Sequence, residues 1–262
     1  MKLLKLSNNL FVATVISLAI SGLLNYPGLT ETVDSENRSP DEQSQSSSGS
    51  ENLDFSGDGR PGRRTGGGSR SLCPATPAPL TALVPHNNIG TTIRPRPRLW
   101  FYIPYASQQA AMGEFVLQDQ QEHDVYRQTF TPPQTPGLVN FELPQSAPPL
   151  ETNRTYRWYF KLYCGDSSST ANFVEGWIVK VPLSSDLSMQ IKSEVNPAYQ
   201  EYGDNSIWFD SLDSLAQLRL KHDRPQLKND WNQLLGAKGV NLDWLSDRPL
   251  VGKVTNIIQN GK

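Results

Sequence analysis

The stretch TYRWYFKLYC at residues 155–164 decides the fold, because its side chains alternate between the two faces of a strand. One face carries apolar and aromatic side chains, at Tyr156, Trp158, Phe160, Leu162 and Cys164. The other face carries polar, basic and aromatic side chains, at Thr155, Arg157, Tyr159, Lys161 and Tyr163. A strand that buries a Trp and ends in a Cys is typical of the centre of a two-layered β-sandwich.

Further strand-like segments surround this one at short spacing. They span residues 80–84, 98–103, 114–118, 124–130, 138–143 and 172–181. Pro and other turn formers fill the connections, and no helical periodicity interrupts them. We therefore predict an antiparallel, Ig-like β-sandwich domain at residues 72–182.

The pattern changes after this domain, where apolar residues recur at helical spacing. We expect one helix at residues 184–195, a second from Asn205 as N-cap to His222, and a third that Pro225 opens. The last two helices predict a small helical hairpin unit within residues 184–250. The expected fold class is thus α+β.

The first 24 residues have the layout of a secretory signal peptide. Lys2 and Lys5 precede an apolar run at residues 10–24, and Ala19 and Ser21 resemble the small residues of a cleavage site. An uncleaved anchor and a buried helix are the alternatives. A signal peptide predicts an exported protein of the cell envelope, periplasmic or extracellular, that meets the membrane only through its export signal.

A predicted linker follows at residues 25–70, rich in Ser, Gly and acidic side chains. Residues 25–59 carry eight acids against one Arg, a net charge of −7, and have almost nothing to bury, which is typical of disorder. The end of the linker, residues 60–70, is basic and glycine-rich instead. We interpret it as a solvated lead-in to the domain, with a docking surface for an anionic partner as the alternative. The whole chain has a net charge of −2, and no segment is basic enough to indicate nucleic-acid binding.

The two cysteines, Cys73 and Cys164, indicate a disulfide in an exported chain. Two thiols cannot complete a zinc site, and no His pair stands at ligand spacing, so we expect neither a metal nor another cofactor. Two buried thiols are the alternative.

Candidate site residues are few. His123 lies among carboxylates at residues 119–124, a pattern that suits a general base, but it falls in an expected hairpin turn where polar residues are usual. Four aromatic side chains are candidates for stacking on a sugar or a peptide, with core packing as the competing interpretation. They are Trp100, Tyr102, Tyr105 and Trp177.

Several motifs in one order resemble domain-of-unknown-function family 928 of cyanobacteria, over about residues 60–250. They are GRRTGGGSR, LTALVP, WFYIPY, EFVLQD, YRWYFKLYC, VEGWI, SIWFDSLDSLAQLR, WNQLL and the closing RPL. The resemblance implies an exported envelope protein with a β-rich part followed by helices. It supplies no activity, cofactor or catalytic residue.

The function we expect is a non-catalytic interaction module of the cell envelope. Its partner is expected to be an envelope protein, with a glycan as the alternative and no nucleic acid. Sheets with exposed edges and helices with apolar faces are ready binding surfaces. A hydrolase of envelope polymers or a carbohydrate-binding module are the competing functions.

Overall fold

Ten strands and four α-helices lie within residues 53–67, 71–165 and 170–257, which this computed structural model describes. The strands are β1 (Thr81–Ala82), β2 (Ile89–Thr92), β3 (Arg98–Ile103), β4 (Met112–Gln118), β5 (Asp124–Thr131), β6 (Gly137–Glu142), β7 (Thr155–Tyr163), β8 (Asn172–Lys180), β9 (Leu250–Lys253) and β10 (Thr255–Asn256). The helices are α1 (Ser185–Ser193), α2 (Ala198–Asp204), α3 (Trp208–Lys221) and α4 (Pro225–Gly236), and a 3-10 helix spans Asp243–Leu245. The fold is α+β, as predicted, and most of it is β. The predicted signal peptide lies outside the described residues.

The strands form two sheets. One has the strand order β1-β3-β6-β9, and the other has the order β10-β5-β4-β7-β8-β2. Both sheets are mixed, because β9 pairs with β6 in parallel and β2 pairs with β8 in parallel. This differs from the antiparallel arrangement expected from the sequence. Parallel pairing needs a long connection, and here the chain supplies one through other strands or through the helices.

Stacked aromatic rings join the two sheets. The ring of Phe101 on β3 lies 3.9 Å from that of Phe160 on β7, at 14°. Phe115 on β4 and Phe141 on β6 stack in the same way, with centroids 4.1 Å apart. The five side chains predicted to line the inner face of β7 are all buried, which confirms the alternation. Gly176 on β8 makes room for the largest of them, since a Cβ there would lie 2.5 Å from Cζ2 of Trp158.

Helix α3 packs on the four-stranded sheet and on β2. Arg94 and Arg98, which flank the start of β3, form ion pairs of 2.8 and 3.0 Å with the buried carboxylate of Asp213 on α3. The indole N–H of Trp100 donates to the same carboxylate at 3.2 Å. Arg94 also meets Asp210 at 2.9 Å; burial raises the pKa of Asp210, and the bond from Thr92 and the charge of Arg94 partly offset this. One continuous apolar core therefore runs through the sheets and the helices.

The helix ends differ in part from the expected ones. Pro225 opens α4, as predicted, and Ser184 caps α1 by accepting a hydrogen bond from the Leu187 N–H at 3.1 Å. Asn205 ends α2 instead of capping α3, which begins three residues later. Helix α2 lies between the two helices expected from the sequence and begins directly after Pro197, a residue that suits the start of a helix. No helix in the described ranges is long and apolar enough to cross a membrane.

Cys73 and Cys164 form a disulfide, as predicted, with their Cα atoms 4.8 Å apart. It ties the segment before β1 to the end of β7.

Residues 53–67 make defined contacts, which differs from a linker that extends to residue 70. Phe55 is buried and meets the ring of Trp208 edge-on at 4.9 Å. Arg63 forms a β-bridge with Glu175 on β8, and Thr65 forms one with Thr81 on β1. Backbone bridges to both sheets fix this segment despite its low apolar content. The rest of the predicted linker lies outside the described residues.

Candidate functional site

The outer face of the six-stranded sheet carries rows of aromatic and charged side chains. In the register of β7 and β8, Arg157 lies beside Trp177, Tyr159 beside Glu175, and Lys161 beside Phe173. All six are partly exposed, because the strand period of two turns their neighbours to the core and leaves these outside.

The segment before β1 adds two arginines to this face. The Arg63–Glu175 bridge places the segment along β8, and the indole N–H of Trp177 donates to the carbonyl of Pro61 at 2.7 Å. The guanidinium of Arg60 lies over the ring of Trp177 at 5.0 Å, and that of Arg63 lies over the ring of Phe173 at 4.8 Å. Both arginines are exposed.

Further cation–π contacts connect the rest of the face. Arg157 lies 5.0 Å from the ring of Tyr159 and 5.4 Å from that of Trp177, and Tyr159 meets Phe173 at 6.4 Å. A guanidinium over an aromatic ring is attracted to the negative charge of the ring face. We call this set the cation–aromatic face; its members are Arg60, Arg63, Arg157, Tyr159, Phe173 and Trp177.

Carboxylates neutralise some of these cations but not all. Glu175 accepts from Arg157 at 2.6 Å, and Glu114 on β4 meets Lys161 at 2.8 Å and Arg127 at 2.7 Å. Burial raises the pKa of Glu114, but the hydrogen bonds from Lys161 and Arg127 outweigh it and lower the pKa overall. Within the described residues, Arg60 and Arg63 form no ion pair. Two guanidinium groups are therefore held in place with N–H groups free to meet an anion.

Of the four predicted ligand-contact aromatics, the structure places only Trp177 on this face. Trp100, Tyr102 and Tyr105 are buried, with 1%, 4% and 3% of their surface exposed. Trp100 points to Asp213, and Tyr105 accepts a hydrogen bond from Asn172. The stretch WFYIPY has no polar face because β3 is covered on both faces, by the six-stranded sheet on one side and by the helices on the other.

Sequence reasoning missed most of the cation–aromatic face. The stretch 155–164 already showed Arg157, Tyr159 and Lys161 alternating on its outer side, and that mixture of rings and cations was the available signal. Arg60 and Arg63 lie in the basic segment for which a docking surface for an anionic partner was the alternative interpretation, but their position on this face depends on the long-range bridge to Glu175.

The candidate general base lies in the expected turn between β4 and β5. Its backbone N–H donates to Asp119 at 3.0 Å, its Nδ1 lies 3.4 Å from the other carboxylate oxygen, and 79% of the His123 side chain is exposed. The N–H of His123 is the main cause of a lowered pKa of Asp119. The position in a turn is confirmed, and the role of His123 stays a prediction.

Two concave regions lie elsewhere. An open groove of about 520 Å³ lies between residues 54–58 and β2. Beside it, the ammonium of Lys238 and two bonds from Ser56 hold the pKa of Asp54 well below its usual range. A narrow cleft of about 20 Å³ lies among the helices, where the hydroxyl of Tyr199 donates to Asp230. Burial and that carboxylate raise the pKa of Tyr199. Within the described ranges, no group of three or more His, Cys, Asp or Glu side chains is arranged to hold a metal ion.

A search of curated proteins finds no match to this sequence. Residues 65–250, well over half of the chain, match the sequence pattern of a Domain of Unknown Function, DUF928. This range holds the strands β1 to β8, all the helices and most of the cation–aromatic face, so the chain belongs to the DUF928 family.

Proposed function

We propose that this protein is a non-catalytic interaction module of the cell envelope, and that it binds its partner on the cation–aromatic face. The observation that carries the proposal is the pair Arg60 and Arg63, each stacked on a ring of β8 and each without a carboxylate among the described residues. Stacking limits the side-chain freedom that a binding partner would otherwise have to restrict. Ordered, unpaired cations on an exposed face are suited to recognition.

The shape of the face supports a macromolecular partner. It spans two neighbouring strands of one sheet, β7 and β8, and the segment that pairs with β8 at Glu175. Small molecules are bound in concave sites that bury most of their surface, whereas extended partners use broad surfaces with aromatic and Arg side chains at their centre.

Export is part of the proposal. The basic start and apolar run of the first 24 residues are those of a signal peptide, and the Cys73–Cys164 disulfide supports an oxidising compartment. We also infer that the two facing sheets are related to the Ig-like sandwiches, since aromatic rings fill the space between them as they do in such domains.

A carbohydrate-binding module is the second candidate, and the same face favours it. Trp177, Tyr159 and Phe173 are partly exposed rings on adjacent strands, and such rings offer apolar area with few rotatable bonds. The two candidates share the site and differ in the chemistry of the partner.

Site-specific crosslinking tests the proposal. A photoreactive phenylalanine analogue replaces Tyr159 in the full chain, and the matched control carries it at Trp244, a ring that is 42% exposed on the 3-10 helix. After illumination in envelope extract, we expect an adduct from position 159 and none from position 244. Adducts of equal yield at both positions, or none at position 159, would contradict the proposal.

A further inference from the structure

The cation–aromatic face also indicates the chemistry of its partner. We propose that it binds an anionic polysaccharide whose carboxylate groups meet Arg60 and Arg63. This inference rests on the proposed function, because it assigns a ligand to the same face.

The stacked arginines are suited to carboxylates. A guanidinium presents N–H groups in one plane that can donate two parallel bonds to one carboxylate. The guanidinium groups of Arg60 and Arg63 lie over the rings of Trp177 and Phe173, with their central carbons 5.0 and 4.8 Å from the ring centroids. One N–H of Arg63 donates to the carbonyl of Gly67 at 3.0 Å, which still leaves other donors.

The spacing of the two cations favours a ligand with separated charges. Trp177 and Phe173 are four residues apart on β8, which corresponds to about 13 Å along a strand. Between them lies Glu175, paired with Arg157. A uronic-acid chain can present ring hydroxyls there while its carboxylates meet the arginines on either side, and hydroxyls can donate to Glu175 and accept from Arg157. A nucleic acid would bring backbone phosphates to the Glu175 carboxylate instead.

An acidic peptide fits this face less well. Peptides that bind sheets gain much of their affinity from main-chain hydrogen bonds to a free strand edge. On this face the edge of β8 at Glu175 is already paired with Arg63, in both directions, at 2.8 and 3.2 Å. Only side chains remain for recognition, and the exposed rings of Tyr159 and Phe173 offer apolar area to the C–H surfaces of sugars.

Titration calorimetry with defined polymers tests the inference on the full chain. The probes are polygalacturonate, a carboxylated polysaccharide; dextran, a neutral one; and poly-glutamate, a carboxylated polypeptide. We expect polygalacturonate to bind, dextran not to bind, and poly-glutamate to bind about tenfold more weakly, because it lacks the hydroxyl and ring contacts. Equal binding of poly-glutamate or of dextran would overturn the inference.

Variants locate the interaction. Arg60→Ala is expected to weaken polygalacturonate binding about tenfold, the loss typical of a charge-assisted hydrogen-bonded contact. Arg60→Lys keeps the charge but not the planar fork of N–H donors, and we expect it to recover little of the loss. The control is Arg154→Ala. It removes an exposed cation that is not a member of the face and that pairs with Glu151 at a distance of 3.0 Å. Equal losses for Arg60→Ala and Arg154→Ala would show a response to net charge alone and would overturn the inference.

The two proposals fail in different ways. If position 159 crosslinks to a partner but polygalacturonate does not bind, the face is a docking surface and its polysaccharide assignment is wrong. If polygalacturonate binds and Arg60→Ala has no effect, the polymer uses another surface and the assignment is again wrong. An unchanged melting temperature of Arg60→Ala shows that any loss arises at the surface and not from unfolding.

Discussion

The two faces of the β7–β8 strand pair use aromatic rings for different purposes. On the inner face, Phe160 stacks on another ring, Phe101, and no water reaches either side chain. On the outer face, Trp177 stacks with guanidinium groups and stays partly exposed. The difference teaches that an alternating strand can place rings on both sides, and that the groups each ring contacts distinguish the two sides: apolar rings in the core and guanidinium groups on the exposed face.

The largest effect expected from this comparison is on the inner face. Trp158→Ala removes a fully buried indole and should lower the free energy of unfolding by about 3 to 5 kcal/mol. The matched variant on the outer face, Trp177→Ala, should cost about 1 kcal/mol, because its ring is only half-buried and its main contacts are exposed cations. Urea titration of both variants measures the difference. Equal losses would show that the outer ring is as much a part of the core as the inner one.

A second contrast lies between a fully buried carboxylate and a partly exposed one. Asp213→Ala leaves Arg94, Arg98 and the Trp100 N–H without their shared acceptor, and should destabilise the fold by about 3 kcal/mol, as when one partner of a buried pair is removed. Asp210 and Glu142 remain near the two arginines, so we place the loss at the lower end of the usual range.

The matched variant is Glu175→Ala, which removes the partner of Arg157 on the outer face. It should cost about 1 kcal/mol or less, because water replaces the carboxylate. A chemical denaturation series compares the two carboxylates. If Glu175→Ala were as destabilising as Asp213→Ala, the outer face would serve mainly to hold the fold together.

The outer face should also respond to acid. The pKa of Glu114 is lowered in the folded protein, so its ionised form contributes stability at neutral pH. This contribution is present above about pH 4.3, the ordinary pKa of glutamate, and is lost as the pH falls through the lower pKa of the folded state. Melting temperatures from pH 7 to pH 3 should fall less steeply for Glu114→Gln than for the unaltered chain. Parallel curves would mean that Lys161 and Arg127 do not stabilise the ionised carboxylate.

The smallest effect is expected in the turn at the end of the outer face. His123→Ala should change the free energy of unfolding by less than about 0.5 kcal/mol, because its side chain is 79% exposed. We also expect unchanged crosslinking from position 159 in this variant. A loss of a hydrolytic activity on envelope polymers in His123→Ala would favour the hydrolase interpretation instead.

The sequence predicted those parts of the molecule in which local pattern and tertiary contact agree. The alternation at residues 155–164 gave the buried side of β7 because a period of two leaves only two choices, and one side was apolar. Pro225 marked the start of α4 for a similarly local reason. The pairing of Cys73 with Cys164 followed from there being two cysteines in a chain that reads as exported.

The remainder depended on long-range contacts. Trp100 and Tyr102 looked like an aromatic platform, but α3 and the 3-10 helix cover that side of β3, where Tyr102 meets Trp244 at 6.1 Å. The strand β2 lies in a Pro-rich stretch, and its parallel pairing with β8 holds it in place. No local sequence pattern predicts that pairing. For the same reason, Arg60 could not be assigned to the ring of Trp177 from composition.

Near both ends of the described region, the chain pairs first with one sheet and then with the other. This arrangement has a consequence for solubility. The segment before β1 pairs with β8 through Arg63 and then with β1 through Thr65. At the other end, β9 pairs with β6, and β10, which follows it directly, pairs with the outer edge of β5. Unpaired strand edges invite another chain to add a strand, and this is a common start of aggregation. In this fold the chain itself covers edges of β8, β1 and β5, so removal of residues 255–257, which frees the edge of β5, should first appear as self-association rather than as a loss of the core.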